Sequence, residues 1–305
     1  MRRRIRGRDS LLGFHRVTSN DLPPLPMRVN SRQTLLTAPS FLWMLVLFAW
    51  PALHLLVMSF RPPDATGGVG EGWTMEAWKV FAEPGYLDVL WRTIGVSVVT
   101  TLGCVLLAVP VAWRIHRASA RWRSWMLLLV VLPFWTSFLI RVYAWRVLLQ
   151  ANGPLATLLK SIGCMSDDAL LLYNPTAVIM VMIYTYLPMT VLPIYAAMEK
   201  FDPVLLDAAA DLGARPWQAF VKVVLPGIRK GLIAAALLVG IPCLGSYVVP
   251  DMIGGIDAEM LGNKIGQRLF SDRHLPQAAA LATALAMLAM PAVVVALKRK
   301  PEDAE

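Results

Sequence analysis

The chain has 305 residues, of which 57% are hydrophobic and only 16% are charged. Soluble domains carry about 25% charged residues, and the mean hydropathy of +0.56 is also too high for such a domain. The composition therefore indicates an integral membrane protein. The net charge of +9 is no evidence of nucleic-acid binding, because lysines and arginines of membrane proteins concentrate in the loops of one face.

Six apolar stretches are long enough to cross a bilayer, which requires roughly 20 apolar residues per helix. We predict an all-α integral membrane protein in which residues 37–297 form a six-helix transmembrane domain. Residues 1–36 form a basic tail before this domain, and residues 298–305 form a short tail after it. The predicted spans are residues 37–60, 92–113, 125–145, 175–197, 231–250 and 275–297.

Proline occurs in every predicted span, where it removes a backbone donor and bends a helix. Bent helices would suit a path that opens and closes, although membrane helices also tolerate proline without any functional reason. The prolines concerned are Pro51, Pro110, Pro133, Pro188, Pro193, Pro242 and Pro291.

The distribution of lysine and arginine predicts the orientation in the membrane. Of the 29 such residues, 20 lie in the tails and in the loops 114–123 and 199–230, and nine lie in the loops of the opposite side. Cytoplasmic loops carry the excess of positive charge, so both termini are predicted to be cytoplasmic. The outer face is then slightly acidic, which is compatible with a cationic solute.

Residue types used in catalysis and metal binding form no site pattern. Cys104, Cys164 and Cys243 lack a paired spacing, the four histidines are scattered, and there is no phosphate-binding loop or nucleophile motif. The sequence therefore predicts no catalytic residue, no metal and no cofactor in this chain.

The longest predicted cytoplasmic loop, residues 199–230, has the signals of two short helices. Asp202 is a candidate N-cap with Pro203 at the first helical position, and Gly213 ends that helix. A second helix begins at Pro216 and is expected to stop at Pro226. Such a hairpin either inserts into a groove of a partner protein or packs against its own bundle, and spacing alone leaves both open.

The string DAAADLGARPWQAFVKVVLP, residues 207–226, resembles the signature loop of ABC importer permeases. That pattern reads E-A-A, three residues, G, nine residues, I, one residue, L-P. Asp207 and Val223 replace the Glu and Ile of the pattern. The positions to which the resemblance assigns coupling with an ATPase are Asp207, Ala208, Ala209, Gly213, Leu225 and Pro226.

The resemblance extends over nearly the whole chain to permeases of polyamine importers, notably in LPFWTSFLIRVYAW at 132–145 and VVPDMIGG at 248–255. It implies a permease of the type I ABC importer kind in the bacterial inner membrane. The implied partners are a second permease, a dimer of ATPase subunits that bind ATP and magnesium, a periplasmic solute-binding protein and membrane lipid, but no nucleic acid. ATP hydrolysis then belongs to the partner, so the chain itself is not an enzyme.

The resemblance leaves the solute less certain than the class of transporter. Relatives that handle opines, thiamine, sulfate or iron share the fold and the signature loop. A secondary carrier is a weaker alternative, because inverted repeats with broken helices are not recognisable in the sequence. A membrane enzyme is weaker still, because a catalytic constellation is missing.

A polyamine path requires carboxylates and aromatic faces that attract ammonium groups. Asp251, at the end of the fifth predicted span, is the first candidate, and the others are Tyr247, Trp135, Tyr143 and Trp145. The alternative interpretation is that Asp251 faces outer water and that the aromatic residues belong to the belt at the membrane interface.

Overall fold

The computed structural model describes residues 31–164, 166 and 169–298, so most of both predicted tails lies outside the described residues. Every regular element in the described part is helical, apart from one isolated β-bridge between Pro63 and Val69. The prediction of an all-α protein is therefore confirmed. Residues 31–36, predicted as part of the tail, belong to the first helix.

The described residues contain eleven α-helices, two of which include a π-helical turn, and a 3-10 helix, Glu76–Ala82. The first, α1, comprises Ser31–Met44, a π-helical turn Leu45–Ala49 and Trp50–Met58. The others are α2 (Tyr86–His116), α3 (Ala120–Val131), α4 (Phe138–Leu149), α5 (Pro154–Ser161), α6 (Pro175–Glu199), α7 (Val204–Asp211), α8 (Pro216–Gly227), α9 (Arg229–Leu244), α10 (Leu261–Gly266) and α11 (Leu275–Lys298).

Four helices are each long and apolar enough to cross a membrane, namely Thr37–Met58 within α1, α2, α6 and Leu275–Val294 within α11. Two bent pairs also qualify. Ala120–Trp135 meets Phe138–Ser161 at 90°, and Pro216–Gly227 meets Arg229–Leu244 at 67°. The described residues thus contain four spans, or six if each bent pair is one span.

The third and fifth predicted spans are not continuous helices. Pro133 lies in a 3-10 turn, Leu132–Trp135, and extended residues then separate this turn from α4, so this proline interrupts its span as expected. In contrast, Pro110, Pro188 and Pro242 lie inside unbroken helices. The fifth span is interrupted elsewhere, because α9 ends at Leu244.

Within residues 53–298, α6 packs against both α2 and α9. Small residues allow this close approach, since a Cβ on Gly103 of α2 would come within 2.6 Å of Ile183, and one on Gly231 of α9 would collide with Ala197. The Thr93 hydroxyl links α2 to α10, because it donates to the Val89 carbonyl at 2.7 Å and accepts from the Leu261 amide at 2.8 Å. These contacts join α2, α6, α9 and α10 within residues 53–298.

Candidate functional site

The hairpin formed by α7 and α8 begins with a side-chain cap. The Asp202 carboxylate accepts a hydrogen bond from the Val204 amide at 3.0 Å, which satisfies one of the free donors at the start of α7. The helix starts at Val204, one residue later than the sequence indicated. The N-cap position itself is occupied by Pro203 and not by Asp202 as predicted, although the Asp202 carboxylate still binds the first helical amide.

The turn of the α7–α8 hairpin depends on Gly213, which has the left-handed φ of +78°. Its amide bonds to the Ala210 carbonyl at 2.9 Å, and the Ala214 amide bonds to Ala209 at 3.0 Å. Arg215 is extended, and its amide donates to the Gln218 side chain at 2.9 Å, so that α8 begins at Pro216 as predicted. The only obstacle to a side chain at Gly213 is backbone conformation, because a Cβ would meet no atom within 4 Å.

One side of the α7–α8 hairpin is anchored to the rest of the protein. The Phe220 ring meets Trp113 of α2 edge to face, with 5.1 Å between ring centroids. Val224 and Ile228 are completely buried, and Gly227 lies so close to the Phe201 ring that a Cβ would approach it to 2.6 Å. The hairpin is therefore held against the ends of the spanning helices.

The other side of the hairpin exposes large apolar side chains, which we call its outer face. The large apolar residues of α8 are divided between two sides, since Phe220 and Leu225 pack inward whereas Trp217 is 62% exposed and Val221 48% exposed. An apolar surface of this kind is a common mark of an interaction site. The outer face consists of Val204, Leu205, Leu212, Trp217 and Val221.

The six signature residues occupy two different environments. Ala209 is buried and Leu225 is half-buried, whereas Asp207, Ala208, Gly213 and Pro226 are exposed. The pattern thus combines residues that hold the hairpin together with residues available to another molecule.

The sequence predicts that the second helix stops at Pro226. The structure differs, because α8 includes Pro226 and continues to Gly227. A π-helical turn, Phe220–Val224, ends two residues before Pro226. Pro226 then occupies the first turn of the next helical segment, where the missing amide hydrogen costs little. A π turn also precedes Pro51 in α1.

Asp251, the acidic candidate for the solute path, is not at the end of a long helix. It lies in a π-helical turn, Pro250–Gly254, beyond a non-helical stretch that follows α9. Its side chain is exposed and its amide bonds to the Tyr247 carbonyl at 3.1 Å. Asp251 and Tyr247 are therefore neighbours, but the predicted position at the end of the fifth span is wrong.

The aromatic candidates are distributed over two elements. Trp145 of α4 shares a buried cluster with Val249 and Ile253, which flank Asp251, and its ring meets Tyr184 of α6 at 5.3 Å. The structure thus brings α4 next to the turn that carries Asp251. Tyr143 is 51% exposed on α4, and Trp135 is 73% exposed on the turn before it.

Sequence analysis missed an ionic network around Arg268, which follows α10. Its guanidinium contacts Glu83 at 3.0 Å and Asp272 at 3.2 Å and donates to the Tyr86 hydroxyl at 2.9 Å. Burial opposes the charge, but these bonds prevail and raise the pKa of Arg268. The i, i+4 spacing of Arg268 and Asp272 was a recognisable signal, whereas nothing local indicated Glu83.

Glu259 is also engaged within the protein, since its carboxylate pairs with Lys264 at 2.6 Å. No three histidine, cysteine, aspartate or glutamate side chains come together as metal ligands anywhere in residues 31–164, 166 and 169–298.

The sequence is similar to known permeases over most of its length. It is 36% identical to the spermidine/putrescine transport system permease protein PotB of Haemophilus influenzae, covering 85% of this chain and 91% of that protein. It is 32% identical to PotB of Escherichia coli, covering 81% and 90%, and 30% identical to the inner membrane ABC transporter permease protein YdcU of that organism, covering 81% and 82%.

The fold is similar to that of solved transporters. A bacterial ABC transporter involved in the import of the acidic polysaccharide alginate matches with a TM-score of 0.69 and 18% identity, covering 90% of this chain and 98% of that chain. The alginate transporter in complex with an alginate pentasaccharide-bound periplasmic protein matches with a TM-score of 0.65 and 19% identity, covering 87% and 93%.

The family model of binding-protein-dependent transport system inner membrane components matches residues 32–300, which is nearly the whole described chain. The protein therefore belongs to that family and is the inner-membrane permease component of an ABC importer.

Proposed function

We propose that the protein is the permease subunit of an importer of polyamines, putrescine or spermidine. The observation that carries this proposal is the similarity to two permeases named for spermidine and putrescine, at 36% and 32% identity over more than 80% of the chain. A pair of substrates with ammonium groups also fits the slightly acidic face predicted for the outside.

The proposed solute contacts are Asp251 and the aromatic residues near it. An exposed carboxylate attracts an ammonium group, and aromatic faces add cation–π attraction. Tyr247 is adjacent to Asp251, and Trp145 packs with the residues that flank it. Trp135 and Tyr143 present exposed rings on the neighbouring bent pair and are proposed to line the path farther along.

The outer face of the α7–α8 hairpin is proposed to dock on a separate ATPase subunit. Its apolar side chains are exposed while the opposite side is anchored to α2, so that a movement of the hairpin would act directly on the membrane helices. In this proposal ATP and magnesium bind only to the ATPase, and Asp207, Ala208, Ala209, Gly213, Leu225 and Pro226 maintain or form the contact. ATP-driven closure then biases two conformations of the permease.

The assembly proposed around this chain contains a second permease, two ATPase subunits and a periplasmic solute-binding protein. In this proposal α3 and α4 together form the third span, and α9 forms the fifth with α8 outside the membrane, which gives six spans and places both termini in the cytoplasm. The complex of the structurally similar alginate transporter with a periplasmic protein supports an arrangement of this general kind.

The decisive experiment is uptake of radiolabelled putrescine and spermidine by cells that express the chain with its partner subunits. An assembly with an inactive ATPase is the control. Uptake that requires the active ATPase supports both the mechanism and the substrate. Uptake that survives ATPase inactivation would instead indicate a secondary carrier, and failure of an assembled complex to transport either polyamine would direct the search to opines, thiamine, sulfate or iron.

A further inference from the structure

The connection between α2 and α3 carries four arginines and no acidic residue over positions 114–123. Two of them are engaged within the protein. Arg123 donates to the His116 carbonyl at 3.1 Å and lies 3.8 Å from Glu199, while Arg117 stacks over the Trp113 ring at 5.6 Å.

The other two arginines, Arg114 on α2 and Arg121 on α3, are both exposed. Neither forms a hydrogen bond or an ion pair with any residue in the described part of the chain. Both guanidinium groups lie near the connection between the two helices and are available to an anion.

An apolar cleft of about 370 Å³ opens beside Arg114. It runs between α2 and α3, which are antiparallel because only three residues connect them. Arg114 is the only charged residue among those that line it, which are Pro110, Val111, Arg114, Ile115, Met126 and Val130.

Arg121, Trp122 and Trp125 line a second cavity of about 510 Å³ near the start of α3. Trp122, Met126 and Val130 repeat every four residues and therefore share one stripe of α3, so the stripe leads from Trp122 directly into the cleft. Trp122 is 65% exposed and Trp125 is 56% exposed. Exposed indoles beside arginines at the end of a spanning helix are typical of the level of the lipid headgroups.

We propose that this cleft is a binding site for one anionic phospholipid. Arg114 and Arg121 hold the phosphodiester, the two indoles contact the glycerol region, and an acyl chain lies between Val111 on one side and Met126 and Val130 on the other. The charge and the apolar length of the site both match such a molecule, because basic groups between membrane helices attract acidic headgroups.

The length of the site favours a lipid over a soluble protein subunit. Val130 lies eight residues beyond Trp122, about 12 Å farther along α3 at 1.5 Å per residue. Arg114 and Arg121 are accessible to a soluble partner, but that depth in an apolar span is filled by acyl chains.

The test is tryptophan quenching in phosphatidylcholine vesicles that contain the full-length chain and a lipid with brominated acyl chains. The brominated lipid is either phosphatidylglycerol or phosphatidylcholine. The fluorescence quenching that belongs to Trp122 is the difference between the quenching of each protein and that of the same protein with the additional substitution Trp122→Phe. We expect brominated phosphatidylglycerol to quench Trp122 at a mole fraction roughly 25-fold lower than brominated phosphatidylcholine, because each of the two arginines contributes about fivefold.

The double variant Arg114→Gln/Arg121→Gln should abolish this preference, because each arginine near the membrane contributes about fivefold. Arg229→Gln is the matched control, since it removes an exposed arginine that does not line the cleft, and the preference should remain. Equal quenching by the two lipids in the unmodified protein would overturn the proposal even if the double variant does not fold. Retention of the preference in a folded double variant would overturn it as well.

A second pair of variants tests the acyl-chain part of the site. Val130→Phe fills the cleft and should decrease quenching of Trp122, whereas Leu129→Phe places the same ring at an exposed neighbour that does not line it. Soluble glycerol phosphate should not displace the lipid. Displacement by glycerol phosphate, or equal effects of the two phenylalanines, would show that the chain-binding cleft does not exist.

Discussion

Replacing Trp217 by alanine tests whether the outer face of the α7–α8 hairpin is a binding surface. Trp217 is 62% exposed, so the folded permease gains little from its side chain. We expect the free energy of unfolding of Trp217→Ala to stay within about 0.5 kcal/mol of the unmodified protein, as for other surface substitutions.

The effect on the binding of the ATPase should be much larger. With about 250 Å² for a whole tryptophan side chain, the exposed part is roughly 150 Å². If the partner covers all of this area, its burial contributes about 4 kcal/mol at 25 cal/mol per Å². If the partner covers only part of this area, we take about 2 kcal/mol, the usual threshold for a hot spot, as the lower bound of the lost binding free energy. The Kd for the ATPase should therefore rise by about 30- to 1,000-fold.

The assay is titration of the detergent-solubilised permease complex with its ATPase subunit, combined with measurement of ATP hydrolysis per solute transported. Trp91→Ala is the matched control, because Trp91 is 69% exposed but lies near the start of α2, at the end opposite to the hairpin. Unchanged affinity in Trp217→Ala, or an equal loss in Trp91→Ala, would refute the assignment of the outer face.

Four further predictions follow from local geometry. Gly213→Ala should lower the free energy of unfolding by about 1–2 kcal/mol, because the φ of residue 213 is +78°. Gly213→Asn should lower it by less, since asparagine tolerates the left-handed region. Equal losses of stability for the two variants in thermal unfolding would contradict this. Gly231→Ala should lower the free energy of unfolding by about 1–3 kcal/mol, because the new Cβ collides with Ala197. Gly95→Ala, where a Cβ would meet no atom within 4 Å, should be neutral or slightly stabilising. Thermal unfolding of the two variants compares them. Hydrogen bonds from the Thr66 hydroxyl, the Thr66 amide and the Gly68 amide lower the pKa of Asp64. The stabilisation of this turn by the Asp64 carboxylate is therefore present above about pH 4 and is lost as the pH falls through the lowered pKa. Hydrogen exchange at the Gly68 amide should then accelerate relative to that in Asp64→Ala, and parallel pH profiles of the two proteins would exclude the effect. Asp251→Asn should raise the KM for putrescine by about 10- to 100-fold, which corresponds to the free energy of one hydrogen bond to a charged group. Asp257 is also an exposed acid, and Asp257→Asn should leave the KM unchanged. Uptake kinetics of the two variants test this difference.

The α7–α8 hairpin was predictable from the sequence because its boundaries depend on local chemistry. A capping carboxylate at Asp202, a left-handed glycine at Gly213 and a proline at the first position of α8 act within a few residues of where they stand. The division of α8 into an anchored and an exposed side was not predictable, because it depends on Trp113, which is more than 100 residues away in the sequence.

The solute-path candidates show the same limit. Hydropathy did not locate the end of α9, because Val248 and Val249 extended the apolar stretch to residue 250, whereas the helix ends at Leu244 and Asp251 lies beyond it. The pairing of Arg268 with Glu83 joins residues 185 positions apart, and no periodicity reports a contact at that separation. Membrane class and helix content, in contrast, are determined by composition along the chain.

The π-helical turn inside α8 gives the signature spacing a consequence for insertions and deletions. A π turn contains one residue more than the corresponding α-helical stretch, so the residues between Gly213 and Leu225 do not form a regular helix of that length. Deleting one residue of the turn, such as Val221, would remove this extra residue and restore α-helical geometry, with Leu225 in nearly its present orientation relative to Trp217. Leu225 would then still pack inward, although the spacing between Gly213 and Leu225 would be one residue shorter than the signature requires. An insertion in a regular part of α8, in contrast, would rotate Leu225 by about 100°.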